Sequence, residues 1–479
     1  MRGIGLVYAA AFVSFWVQAS GLVGERGILP ARIFLEAVHA QLGEGAWREL
    51  PTLFWLRSDD AAIHAACGAG LALSATLVAG LAPRIAAFGL WALYLSISEI
   101  GQIFLGYQWD ALLLEAGLLA IWLAPGGLRP RPAAPAPEAL FAIRWLVFRL
   151  FLLSGLVKIL SGDPSWTGLS ALQYHYWTQP IPTWTSVYAH ALPPAVHTVE
   201  TFATLSIEIG LPFFVFGPRP LRLAAAVGFT TLQILINATG NYGFFGLLTV
   251  VLCAALVDDG VWRRLPGLRR LVPSEPARRG PRSPLRRAAA AAALALVVAV
   301  TSAHALLRVW RGVELPSPLL SLVERLEPLH SFNAYGLFAT MTKDRTEIEV
   351  EGSRDGVRWE PYAFRYKPDA LDGRPPFTGL HMPRLDWQMW FAALDDCAHA
   401  PWFLAFQRRL LEASPTVLAL LAVDPFRGTP PRYLRTTVYR YRFADADGLR
   451  AGMWWLREPL GPYCPTLELD GDRLRIASP

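Results

Sequence analysis

Residues 288–307 read AAAAAALALVVAVTSAHALL, a run with no charged side chain and one histidine. A helix rises 1.5 Å per residue, so about 20 apolar residues match the ~30 Å hydrocarbon core of a bilayer. Eight further apolar runs precede it, at 4–19, 61–82, 85–105, 111–124, 139–160, 199–216, 221–238 and 244–257. Together they predict about nine spans, the fourth and eighth being the shortest. Beyond residue 307 charged residues become dense and evenly spread. Across the chain, 53% of residues are hydrophobic and 17% charged, against about 25% charged in soluble domains. One part of the chain is therefore solvated by lipid and the other by water. The expected organisation is a transmembrane helical bundle over 1–257, a basic Pro/Arg-rich cytoplasmic linker over 258–287, a last transmembrane helix at 288–307, and an exoplasmic β-rich domain over 308–479.

The net charge of +6 does not indicate nucleic acid. The excess sits in one Pro-rich linker, in Arg263, Arg264, Arg269, Arg270, Arg278, Arg279, Arg282, Arg286 and Arg287, with no interleaved aromatic residues to stack on bases. Beside a membrane segment, such a cluster is a topology signal or a contact for anionic membrane lipids. Arg84, then Arg129 and Arg131, then Arg219 and Arg222, then this linker occupy alternate loops, whereas 106–108, 161–196 and 239–242 contain no Lys or Arg. This is the positive-inside pattern. It places the N-terminus in the cytoplasm and the C-terminal domain outside. The loop 24–60 breaks the pattern with four arginines, but its six acids mark it as a small folded exoplasmic segment. The first run resembles a signal peptide in Arg2 and Ala19-Ser20-Gly21, but its aromatic residues Phe12, Phe15 and Trp16 favour a retained span.

After residue 307 the periodicity becomes alternating. Aromatic residues share a face in Tyr362-Ala-Phe364-Arg-Tyr366-Lys367, and Thr437, Tyr439, Tyr441 and Phe443 do the same around Arg440 and Arg442. Glu347-Ile-Glu349-Val-Glu351 predicts a strand leading into a turn at 352–356. Helical stretches at 387–394 and 402–411 interrupt these strands. The expected fold is a sandwich-like domain with a helical insertion. Cys67 and Cys253 lie in apolar spans, whereas Cys397 and Cys464 share the exported domain and are disulfide candidates there. No metal-ligand spacing is present, and no cofactor is implied.

Ionisable residues in a span are costly and mark function by default. The spans and their loops supply Glu99, Asp110, Glu115, Asp163, Glu208 and Asn241 as candidates for a polar membrane cavity, with Glu200 beside them and Arg144, Arg149 and Lys158 as opposite charges. The bland reading is a set of ion pairs fixing the bundle's register. His175, His190 and His197 fall in an aromatic loop that suits interfacial packing better than a metal. Arg384, Asp386, Trp387 and Trp390 form either a buried core helix or a client-binding aromatic patch. No inverted repeat suggests a transporter.

Several of these stretches carry a family resemblance. Tyr107-Gln-Trp-Asp-Ala-Leu-Leu-Leu-Glu115, Gly162-Asp-Pro-Ser-Trp166, Tyr174-His-Tyr-Trp-Thr-Gln-Pro-Ile-Pro182 and Gly240-Asn-Tyr-Gly-Phe-Phe245 resemble the lipase maturation factor family. So do Glu351-Gly-Ser-Arg-Asp-Gly356 and Pro383-Arg-Leu-Asp-Trp-Gln-Met-Trp-Phe391. The resemblance implies a multi-spanning endoplasmic-reticulum protein that helps secreted lipases fold and assemble, with its soluble region in the lumen. The Ala/Arg/Pro-rich composition is that of a high-GC bacterium, where the equivalent place is the inner membrane with the domain in the periplasm. A shorter stretch, Ser154-Gly-Leu-Val-Lys158 with Asp163 and Trp166, is similar to the segment of vitamin K-dependent γ-carboxylases that carries their catalytic lysine. It implies a rival reading: a membrane enzyme acting on a lipid or quinone-like substrate, with Lys158 as base.

Overall fold

All nine apolar runs fold as helices, and their ends follow from local chemistry. Asp59 caps the helix Asp60–Ala79 by accepting from the Ala62 N–H at 2.9 Å, and Gly80 ends it in the left-handed region at φ 80°. Proline opens the helices Pro83–Gly101, Pro137–Leu160, Pro194–Leu205 and Pro284–Val309, where its missing N–H costs nothing. The structure is a computed structural model and describes residues 1–130, 134–264, 283–310 and 312–477. Most of the basic linker, 265–282, lies outside the described residues, as does Arg131.

Among the described residues, six helical stretches are long and apolar enough to cross a membrane: Asp60–Ala79, Pro83–Phe104, Pro137–Leu160, Pro194–Phe216, Arg219–Thr239 and Pro284–Val309. Three of the nine expected spans are shorter: Arg2–Trp16, Gln108–Leu123 and Phe245–Leu256. Fifteen residues rise only ~22 Å, so length alone supports six crossings rather than nine. The first of these three helices ends at Trp16. At the end of that helix the side chain of Gln18 reaches out to the C-terminal part of the chain, its Nε2 donating to the Met382 carbonyl at 2.7 Å.

The C-terminal part holds a single antiparallel sheet. Its strands are β1 (Arg345–Ser353), β2 (Glu360–Pro361), β3 (Tyr433–Phe443), β4 (Trp455–Pro462), β5 (Leu467–Asp470) and β6 (Arg473–Ile476). They lie in the order β2-β1-β3-β5-β6, with β4 also paired to β3. The alternation expected at 437–443 and the strand expected at 347–351 fall within the longer β3 and β1, and Glu349 faces Thr437 across the pair. The expected sandwich does not form, because the stretch 362–367 is no strand beyond an isolated bridge at Ala363. Its backbone donors are captured by carboxylates: Asp369 accepts from the Phe364 N–H, and Asp386 from those of Tyr366 and Lys367. Helices Arg384–Ala392 and Pro401–Leu411 supply the second layer.

The sheet domain sits where the 2–16 and 83–104 helices end and the 108–123 helix begins. Residues 331–341 thread across the same end: the Gly336 carbonyl accepts from Gln108, and that of Phe338 from Trp166. At Gly336 (φ +150°) a Cβ would fall 2.6 Å from the Val157 side chain, so only glycine fits there.

Candidate functional site

Burying a charge is tolerable only if it is paired and hydrogen-bonded. At the seam between bundle and sheet domain the buried charges are paired, although the Nε atoms of Arg149, Arg345 and Arg384 are left without a hydrogen-bond partner. Asp110, in the first turn of the 108–123 helix, is held by both guanidinium nitrogens of Arg384, at 2.5 and 2.7 Å. Tyr94 donates to the same carboxylate at 2.5 Å, and Arg384 also donates to the Phe104 carbonyl. The Arg384 backbone N–H donates to Gln18, and that of Met382 to Ser14. One arginine from the sheet domain is thus enclosed by three helices of the bundle.

Around this pair an aromatic cluster excludes water. Tyr107 stacks on Trp109 with centroids 4.6 Å apart, and Trp387 meets the Trp109 ring edge-on at 4.8 Å. Trp390 donates its indole N–H to the Thr178 carbonyl, and both tryptophans are buried. Arg384, Asp386, Trp387 and Trp390 therefore form the inner wall of a docked interface and not an exposed aromatic patch. Of that helix, Phe391 is the large apolar residue left exposed.

The other candidate cavity residues are separated, each facing its own partners, and Glu99 Oε1 is buried without a hydrogen bond. Glu115 pairs with Arg149 and accepts from the Tyr335 hydroxyl at 2.6 Å and the Asn333 N–H at 3.2 Å. Asp163 caps the Met341 and Ser165 N–H groups. Asn241 donates to the Pro376 carbonyl and accepts from the Thr378 N–H. Glu99 approaches His330 at 3.3 Å. Lys158 is gripped by both Glu208 oxygens, at 2.8 and 2.7 Å, and lies over the Trp166 ring. Glu208 falls in a one-turn π-helical segment, 206–210, that interrupts its helix, a feature that re-aims a side chain. Gly155 lets that turn approach, since a Cβ there would lie 2.5 Å from Ile209. The residues thus do not gather round one wet cavity; most join bundle to tail.

Burial beside the Lys158 charge holds His175 down to about 4, so its ring is neutral and shares 3.2 Å with the Tyr242 hydroxyl. His197 faces Glu200 at 3.1 Å, and His190 packs near Trp177 and Phe443. His175 and His197 both pack on Tyr176, and the His197 ring lies 3.3 Å from the His190 carbonyl. Cys397 and Cys464 are bridged, their Cα atoms 5.5 Å apart.

Sequence reasoning missed Arg345. It is fully buried at the start of β1 and donates to the carbonyls of Trp177, Gln179 and Pro180 as well as to Glu347. It also missed Gln18, Asn333 and Tyr335. The signal available for the last two was the uncharged stretch 331–342, which stands out in an otherwise charged domain.

Residues 1–264 match the lipase maturation factor transmembrane domain, and residues 331–465 match the lipase maturation factor C-terminal domain. Lipase maturation factor 2 of Homo sapiens is 34% identical over 600 residues, covering 98% of this chain and 82% of that protein. Lipase maturation factor 1 of Mus musculus is 34% identical over 503 residues, covering 98% and 86%. Lipase maturation factor 1 of Bos taurus is 34% identical over 498 residues, covering 98% and 88%. No solved structure matches the chain.

Proposed function

We propose that this chain, which belongs to the lipase maturation factor family, is a membrane protein that aids the maturation of exported lipase-type clients. The observation that carries this reading is the extent of the likeness. It runs over 98% of the chain and so includes both sides of the buried seam around Arg384 and Asp110. In this reading the bundle holds the sheet domain in one pose at the membrane surface. Client contact then falls to apolar side chains that stay exposed, such as Phe391 and Leu394, rather than to buried Trp387 and Trp390.

Three finer points belong to the same proposal. The three short apolar helices join the six long ones as nine spans, in a bundle over 1–257 and 288–307 with the sheet domain in 308–479. The N-terminus faces the cytoplasm and the sheet domain the exoplasmic side, in a bacterium the periplasm. In support, Met1, Arg84 and Arg286 meet at one end of the bundle and the sheet domain docks at the other. The Cys397–Cys464 bridge suits that oxidising side.

The test is to delete the gene and measure secreted lipase activity per amount of secreted protein. We expect a fall in specific activity, restored by the wild-type chain; unchanged specific activity refutes the proposal. The geometry does not favour Lys158 as a catalytic base, because Glu208 occupies it. A Lys158→Met, Glu208→Leu double variant should therefore fold and still complement, whereas an enzyme dependent on that amine would be dead.

A further inference from the structure

The end of the bundle away from the sheet domain contains a cavity of about 620 Å³, within the ~300–1,000 Å³ range of small-molecule sites. Its walls come from several helices and are apolar, with Ile4, Trp122, Ile143 and Leu252 among the lining side chains. Arg84 and Arg286 also line it. A neighbouring cavity of about 410 Å³ shares Met1 and Pro125 with it and adds Arg2 and Arg129. No acidic side chain is among the described residues lining either one.

Arg84 and Arg286 are both exposed, so their guanidinium groups are open to solvent and to an anionic headgroup. Arg84 is fixed in place, donating from Nε and Nη2 to the Ala124 carbonyl at 3.1 and 2.7 Å. A carbonyl orients a guanidinium but does not neutralise it. Arg286 stands in the first turn of the 284–309 helix, whose amino end adds partial positive charge. A slot that is apolar inside and cationic at its rim matches a molecule with a hydrocarbon tail and an anionic head. Basic pockets between helices on the cytoplasmic side are where such lipids are held.

We propose that this cavity binds an anionic phospholipid, one acyl chain lying between the helices and the phosphate on Arg84 and Arg286. The inference depends on the bundle lying in a bilayer and not on the identity of the client. The test uses the full chain purified in detergent and native mass spectrometry. Phosphatidylglycerol and phosphatidylcholine with the same acyl chains are added, with soluble sn-glycerol 3-phosphate as a third arm. Phosphatidylglycerol should be retained at least tenfold more tightly than phosphatidylcholine, and glycerol phosphate not at all. Each arginine near an anionic headgroup contributes ~1 kcal/mol, about fivefold. Arg286→Gln should therefore cut the preference about fivefold, and Arg84→Gln with Arg286→Gln should abolish it. Because Arg84 also braces Ala124, Arg286→Gln with Arg129→Gln serves as a second pair that leaves that brace intact; with Arg84 still on the phosphate it should cut the preference about fivefold, as Arg286→Gln alone does. Equal retention of the two lipids, an unchanged preference in both double variants, or equal binding of glycerol phosphate overturns the proposal.

Discussion

Replacing Arg384 with Met tests whether the seam between bundle and tail rests on one buried ion pair. The substitution keeps most of the side-chain volume but removes both donors to Asp110 and the donor to the Phe104 carbonyl. Asp110, 1% exposed, is then left with Tyr94 as its side-chain partner. Removing one partner of a buried pair costs about 3–5 kcal/mol, because the remaining charge is desolvated and uncompensated. That is a rise of about 150-fold to about 4,000-fold in the undocked population. The assay is denaturant-induced unfolding in detergent micelles, read by tryptophan fluorescence and by trypsin cleavage of the tail. Asp110→Leu alone should cost a similar amount. The double variant should regain most of the loss, since apolar side chains can replace a buried pair at little cost. Losses under about 1 kcal/mol in the single variants, or a double variant whose loss is their sum, would refute the reasoning.

Two further outcomes follow. Asp386 is buried and its pKa is pushed up to about 6, even though the Lys367 and Tyr366 N–H groups favour its ionised form. A raised acid pKa means that the folded state holds the proton more tightly than the unfolded chain does. The contribution of Asp386 to stability is thus fully present at low pH and is lost between about pH 4 and 6, by up to about 1.4 kcal/mol per pH unit; Asp386→Asn should remove that component from a pH series of melting curves. The Cys397–Cys464 bridge closes a separation of 67 residues, so Cys464→Ser should cost about 4 kcal/mol in the chain-entropy model. Blocking free thiols with a polyethylene-glycol maleimide should leave the wild-type pair unlabelled until reductant is added.

The apolar helices were legible because a bilayer imposes a length and a composition that any reader of sequence can count. The strands around Glu349 and Tyr439 were legible for a similar reason: alternation is a local property. The sandwich was misjudged at 362–367 because alternation cannot show that Asp369 and Asp386 take the backbone donors a partner strand would need. The charged candidates were found individually, yet their pairing was invisible, since Asp110 and Arg384 are 274 positions apart. Arg345 was passed over because an arginine beside a threonine and two glutamates looks like a solvated strand edge. Its burial is decided by three carbonyls from a loop far upstream.

That arrangement has a consequence for biosynthesis. A ribosome releases the loop carrying Trp177, Gln179 and Pro180 long before it releases Arg345, and the 108–123 helix long before Arg384. During that interval Asp110 and the three carbonyls have no counterpart, and the growing polypeptide holds a half-built joint open. The joint can close only once Arg345 and Arg384 have emerged, so a product terminated before Arg384 leaves Asp110 without its guanidinium partner.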